Sequence, residues 1–96
     1  MNMSDKTDFC AVGTVVRSKC GRDRKRVFVV IGVDPDHQDA PIVIANGRLR
    51  KIADRKHKNP SHLQYVAALD KSDMEKLKTG LSDGEIAEIC DKHDFQ

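Results

Sequence analysis

The chain has few aromatic residues and no long apolar run. Its 96 residues include no tryptophan, one tyrosine and three phenylalanines, so a surface that stacks many bases on aromatic rings is not expected. No stretch approaches the roughly 18 to 20 apolar residues that span a bilayer. The first residues, MNMSDKTDF, have neither the basic start nor the apolar core of a signal peptide. We therefore expect a cytoplasmic protein that has no membrane partner.

The sequence also lacks paired cysteines and catalytic motifs. Cys10, Cys20 and Cys90 are too few and too scattered for a disulfide scaffold, so we expect reduced thiols that pack as small apolar groups. Cys90 and His93 have a ligand-like separation, but no CxxC pair accompanies them. Gly-Xaa-Ser-Xaa-Gly and Walker-type loops are absent as well. The prediction is a protein that is not an enzyme and has no metal or cofactor.

The formal net charge of +2 is a sum of opposed blocks. Residues 17–26 carry six basic side chains against Asp23 alone, a net charge of +5. Residues 48–58 carry six more against Asp54, again +5. Residues 70–96 hold eight acids against four bases, a net charge of −4. Such segregation is typical of a surface that binds a polyanion, although solvated charged loops remain the simpler alternative.

Five short strands are predicted from β-branched runs and turn signals. They cover residues 11–18, 27–33, 42–45, 48–52 and 63–66. The basic "KCGRDRKR" joins the first two as a hairpin loop, and Asn46–Gly47 is a strong hairpin signal before "RLRKI". Closely spaced strands of this kind predict a mainly β fold, a small barrel.

Two short helices are predicted in the acidic tail. Ser72 with Glu75, and Ser82 with Glu85, both fit the capping box, in which a serine caps a helix and a glutamate reaches back to it. The apolar residues that follow are spaced so that they would pack one face of each helix against the rest of the protein. They are Leu77, Leu81, Ile86, Ile89 and Cys90. We therefore divide the chain into a flexible start (1–8), a barrel (9–69) and a helical tail (70–96).

Both basic blocks are predicted to contact RNA. Arginines and lysines on loops reach phosphates irrespective of sequence, and the acidic tail offers no basic recognition helix for a DNA groove. His62 follows the second block, where it would either contact RNA or cap the loop through a backbone carbonyl. The predicted RNA-binding residues are Arg17, Lys19, Arg22, Arg24, Lys25, Arg26, Arg48, Arg50, Lys51, Arg55, Lys56, Lys58 and His62.

Two other functions stay open. A protein-binding adaptor would use the acidic tail or an exposed strand edge, with the cations facing an acidic partner in a transcription or translation complex. Self-association through the tail helices is the second, and the sequence does not predict an oligomeric state. Salt-dependent RNA binding separates the first prediction from both.

Residues 12–34, "VGTVVRSKCGRDRKRVFVVIGVD", resemble the KOW motif, a strand, a basic loop with a glycine and a second strand. The motif occurs in SH3-like barrels of ribosomal proteins and of NusG-type transcription factors. "RLRKI", "RKHKNPSHLQ" and "GLSDGEIAEIC" follow in the order found in the archaeal and eukaryotic large-subunit ribosomal protein fourteen-e family and in small bacterial proteins similar to it. The resemblance covers roughly residues 9–90.

The resemblance implies an SH3-like barrel of KOW type with a helical tail, which binds ribosomal RNA through its basic loops beside ribosomal proteins. The family usually has a second glycine in the loop shortly after the aspartate, where this chain reads Arg24, Lys25 and Arg26. Because a side chain at positive φ is costly, we expect this loop to open rather than strain. The matching residues are Gly13, Lys19, Gly21, Arg22, Asp23, Arg50, Lys51, Lys58, Asn59, His62 and Leu63.

Overall fold

The computed structural model describes residues 11–21 and 24–94. The fold is mainly β, with one five-stranded antiparallel sheet followed by two helices. The order along the sheet is β4-β3-β2-β1-β5. The strands are β1 (Thr14–Ser18), β2 (Val27–Val33), β3 (Ile42–Ala45), β4 (Lys56–Lys58) and β5 (Leu63–Ala68). The helices are α1 (Lys71–Thr79) and α2 (Asp83–His93), and short 3₁₀ turns at Ile52–Asp54 and Pro60–His62 flank β4.

The sheet buries apolar side chains on both faces. Val15 and Val29 are direct cross-strand partners and belong to the cluster that the helices cover with Leu81, Ile86 and Ile89. On the opposite face, the second cluster consists of Val16, Phe28, Val30, Ile42, Ile44 and Leu63. Because alternate residues of a strand point to opposite faces, a strand covered on both sides is apolar throughout. This double burial explains the continuous apolar run of β2.

The sheet is curved but open. The ammonium of Lys58 on edge strand β4 lies 3.6 Å from the position that a β-carbon on Gly21 would take, so β4 folds over towards the loop between β1 and β2. Among the described strands, β4 pairs only with β3 and β5 pairs only with β1. The mainly β class and the two tail helices are therefore confirmed, whereas a closed barrel is not observed.

The predicted fourth strand at residues 48–52 is wrong. The Asn46 side-chain oxygen accepts hydrogen bonds from the amides of Arg48 (3.0 Å) and Arg50 (2.9 Å). The Ile52 amide donates to the Asp83 carboxylate at 2.7 Å. A β-strand would need these three backbone amides to donate to a neighbouring strand. Because they donate to side chains, the chain forms a loop here and β4 begins only at Lys56. The Asn-Gly pair does mark a turn, since Gly47 has φ of +78°.

Helix α2 begins as predicted, and α1 does not. The Glu85 amide donates to the Ser82 hydroxyl at 3.2 Å, and the Ser82 amide donates to the Glu85 carboxylate at 3.0 Å. The capping box of α2 is thereby confirmed. Helix α1 is capped by Asp70, which accepts the Asp73 amide at 2.8 Å, so Ser72 lies inside the first turn. None of the helices in the described ranges is long and apolar enough to cross a membrane.

Candidate nucleic-acid interface

Strand pairing brings the start of both basic blocks to one end of the sheet. The first block forms the loop between β1 and β2. Val29, close to the start of β2, pairs with Ala45, the last residue of β3, so the second block leaves the sheet beside that loop. Ser18 at the end of β1 pairs with Leu63 at the start of β5, which places the Pro60–His62 turn there too. The connection at residues 34–41, with three aspartates, joins the opposite ends of β2 and β3.

The hairpin loop is closed by its own backbone. The Ser18 amide donates to the Arg26 carbonyl at 2.9 Å, and the Lys25 amide donates to the Ser18 carbonyl at 2.7 Å. The Arg24 amide donates to the Gly21 carbonyl at 3.2 Å. The expectation that this loop opens is wrong, because Lys25 adopts φ of +71° to complete these bonds. Backbone hydrogen bonding therefore outweighs the strain of a left-handed lysine.

The side chains of this loop project into solvent. Lys19, Arg24, Lys25 and Arg26 are all exposed. Arg22 and Asp23, predicted respectively to bind RNA and to match the family motif, lie outside the described residues. A closed loop that presents several exposed cations has the character of a phosphate-binding surface, because long side chains fan out from a fixed backbone.

The first loop touches the far end of the second block. The Lys19 amide donates to the His62 carbonyl at 2.8 Å, which ties the hairpin to the turn before β5. The His62 side chain is exposed, so its backbone holds the loop while the ring stays accessible. Lys58 is 7% exposed and its ammonium approaches Gly21. Its aliphatic stem is buried while its charge points towards the hairpin, as long basic side chains commonly do.

The remaining cations of the second block differ in accessibility. Arg48, Lys51 and Arg55 are exposed, whereas Arg50 and Lys56 are half-buried. The Arg55 guanidinium donates to the Ile52 carbonyl at 3.1 Å, which holds its stem against the 3₁₀ turn. The accessible part of this block is therefore smaller than the six side chains that the sequence predicts.

One arginine from each block donates hydrogen bonds to the acidic tail. Arg17 donates to the backbone carbonyls of Lys25 (2.6 Å) and Asp94 (3.0 Å), and its side chain is only 19% exposed. Arg48 donates two hydrogen bonds of 2.7 Å to the two carboxylate oxygens of Asp91. This pairing raises the pKa of Arg48 above its ordinary value. Arg17 thus joins the sheet to the end of α2, a structural role that the sequence did not indicate.

A cavity of about 290 Å³ opens between the two blocks and α2. Arg26 lines it from the hairpin loop, Val27 from the start of β2, Leu49 from the loop after β3, and Cys90 and Asp91 from the helix. Sequence reasoning missed this site because its walls come from segments more than 60 residues apart. The only sequence signal was the excess of carboxylates in the tail.

The cysteines near the site differ in environment. Burial raises the pKa of the Cys90 thiol to about 12, so the group is neutral at physiological pH. Cys20 is partly exposed in the hairpin loop, and Cys10 lies outside the described residues. Within the described ranges, no cluster of three or more His, Cys, Asp or Glu side chains is arranged to hold a metal ion.

Comparison with known proteins does not assign a family. No protein-family model matches the chain, and no curated protein matches it. A function is therefore inferred from the geometry of this surface and from the sequence resemblance.

Proposed function

We propose that this chain is a non-enzymatic RNA-binding module that grips the RNA backbone with its two basic segments. The observation that carries the proposal is their convergence: the hairpin at residues 19–26 lies against Lys58 of the second block, donates to the His62 carbonyl just beyond it, and shares a cavity with Arg48. The hairpin at residues 19–26 gives one end of the sheet a concentration of exposed cations, whereas three aspartates follow β2 at the other end, where Asp34 lies 3.5 Å from His57 of the second block. A polyanion is drawn to the cationic end and repelled from the other.

The expected contacts follow from exposure. Lys19, Arg24, Lys25 and Arg26 form the first phosphate-binding edge, and Lys51, Arg55 and His62 extend it. Arg17 is assigned to holding the fold, since its guanidinium bonds the carbonyls of Lys25 and Asp94. Recognition through loops rather than a helix in a groove favours RNA, whose shape and backbone are read in this way.

We also infer an SH3-like barrel of KOW type and association with ribosomal RNA, in keeping with the sequence resemblance. The curvature that carries Lys58 to Gly21 supports this fold type. Crosslinking in cells followed by RNA sequencing tests the partner. Reads concentrated at one ribosomal RNA site support the ribosomal assignment, and reads scattered over messenger RNA contradict it.

RNA binding itself is tested by salt titration of fluorescence anisotropy with a labelled RNA hairpin. One variant replaces Arg24, Lys25 and Arg26 with Ala. Its matched control replaces Lys71, Lys76 and Lys78, three exposed lysines of α1, and so changes the net charge equally. Losing three phosphate contacts should make the slope of log K against log salt shallower by about 2 to 3. The control should keep the wild-type slope.

Two outcomes count against the proposal. If the wild type shows no RNA binding at low salt, the basic surface does not bind RNA. If both triple variants lose affinity equally, net charge rather than this surface is responsible. The alternative would then be a protein-binding adaptor, for which β5 offers an edge strand with Tyr65 51% exposed.

A further inference from the structure

The cavity beside α2 has an apolar interior and a charged rim. Val27 and Cys90 are 4% and 7% exposed and form its floor, while Leu49 is 56% exposed and stands at its edge. An exposed leucine on a loop tip next to a recess offers contact area to a ligand. At about 290 Å³, the recess lies near the small end of the range for small-molecule sites.

Arg48 lines the cavity, and its guanidinium pairs with Asp91, which lines the cavity too. Both carboxylate oxygens of Asp91 accept hydrogen bonds from the guanidinium at 2.7 Å, which fixes the orientation of the planar group. The Arg48 side chain nevertheless remains 62% exposed. A guanidinium held at its edge by a carboxylate still has its faces available, and flat aromatic rings stack on such faces.

The charges around the cavity disfavour a phosphate as its occupant. Asp91 and Asp94 both line it and balance the charges of Arg26 and Arg48, so the lining has no net positive charge to attract an anion. Asp91 already offsets the charge of Arg48. The buried thiol of Cys90 is neutral, because burial raises its pKa to about 12. The site therefore suits an uncharged, flat group with polar edges, and phosphates would lie outside at the exposed loop cations.

We propose that this cavity receives one unstacked base of a bound RNA, which stacks on the guanidinium face of Arg48 and contacts Leu49. The proposal rests on the RNA-binding function given above and adds a base contact to backbone recognition. Single-stranded RNA commonly presents splayed bases to arginine planes as well as to aromatic rings. Arg26 lines the same cavity, and its exposed charge is suited to a phosphate next to the inserted base.

The test compares a short oligoadenylate with an abasic ribose-phosphate strand of equal length, measured by anisotropy at low salt. The wild type should bind the base-bearing strand at least about fivefold more tightly, the gain expected from one stacked base. Arg48→Lys retains the charge and removes the planar group. This variant should lose most of that ratio and bind the abasic strand as the wild type does.

Two control variants separate stacking in the cavity from other effects. Lys51→Ala removes an exposed charge of the same loop, so it should weaken both strands alike and leave their ratio unchanged. Tyr65→Ala removes the exposed aromatic ring of β5, and it should also leave the ratio unchanged. Both controls retain the Arg48–Asp91 pair.

The outcomes distinguish this inference from the function on which it rests. Equal affinity of the wild type for both strands, or an unchanged ratio in Arg48→Lys, overturns the base-binding site and leaves backbone binding in place. A ratio that is lost in Tyr65→Ala but kept in Arg48→Lys moves the base contact to β5. Failure of the wild type to bind either strand overturns the RNA-binding function itself.

Discussion

Substitution of Gly47 by alanine should separate the loop after β3 from helix α2. Gly47 has φ of +78°, and a β-carbon there would overlap the Asp83 carbonyl oxygen and lie 2.8 Å from the Ala87 amide nitrogen. The left-handed conformation costs an alanine about 1–2 kcal/mol. Forcing a methyl group against the helix backbone adds about 1–3 kcal/mol. We therefore expect Gly47→Ala to lower the free energy of unfolding by about 2–5 kcal/mol.

Gly21 provides a matched control. Its φ is +80°, nearly that of Gly47, but among the described residues a β-carbon there would meet the ammonium of Lys58 alone, at 3.6 Å. Gly21→Ala should therefore show only the conformational cost of about 1–2 kcal/mol. A second control, Gly84→Ala, lies inside α2 with open surroundings and should stabilise the protein by up to about 1 kcal/mol.

Urea denaturation followed by circular dichroism measures all three variants. The difference between Gly47→Ala and Gly21→Ala isolates the contact with α2 from the backbone conformation. If the two substitutions cost the same, the close approach of the loop to the helix is refuted. A stabilising Gly47→Ala would contradict the left-handed turn as well.

Three further predictions concern local structure, and urea denaturation measures each. Lys25→Gly should raise the free energy of unfolding by up to about 1 kcal/mol, because glycine adopts the left-handed conformation without strain. The gain is reduced because glycine also increases the conformational entropy of the unfolded chain. A destabilised variant would contradict the φ of +71° at Lys25. Asp70→Ala should lower the free energy of unfolding by about 1 kcal/mol, and Ser72→Ala should hardly change it, since only Asp70 caps α1. A larger loss in Ser72→Ala would show that Ser72 is the cap. Between pH 9 and 12 only the unfolded chain ionises the Cys90 thiol, whose folded pKa is raised to about 12, so stability falls as pH rises. From pH 7 to 10 the wild type should lose about 1.4 kcal/mol more than Cys90→Ala, and equal losses would show that the thiol is not buried.

Elements governed by local pattern could be predicted from the sequence. The bounds of β2 and β3 match the apolar runs at residues 27–33 and 42–45, because β3 and the first four residues of β2 are buried on both faces. The capping box fixed the start of α2. By contrast, the Asn-Gly pair predicts a hairpin, but the Asn46 side-chain oxygen accepts hydrogen bonds from two backbone amides of its own loop. A short-range pattern does not reveal which competing acceptor a backbone amide chooses.

The candidate site could be predicted only in part. The two basic blocks are visible in the sequence, but their meeting depends on the pairing of Ser18 with Leu63, 45 residues further along. The pairing of Arg48 with Asp91 likewise joins distant segments. Charge counting therefore overestimates the cations available to a ligand. It does not reveal, for example, that the Arg17 guanidinium donates to the Asp94 carbonyl at the end of α2.

RNA binding by the two basic segments is best tested by following the backbone amide resonances of the protein during titration with an RNA hairpin at low salt. We expect the shifts to concentrate in the loop at residues 19–26 and in residues 48–62. Helix α1 should stay unchanged, and residues 34–41 should show only small secondary shifts, because His57 stacks on His37 at 4.0 Å and lies 3.5 Å from Asp34. Shifts centred on α1 or on residues 34–41, or no shifts at all, would contradict the assignment of RNA binding to the two basic segments.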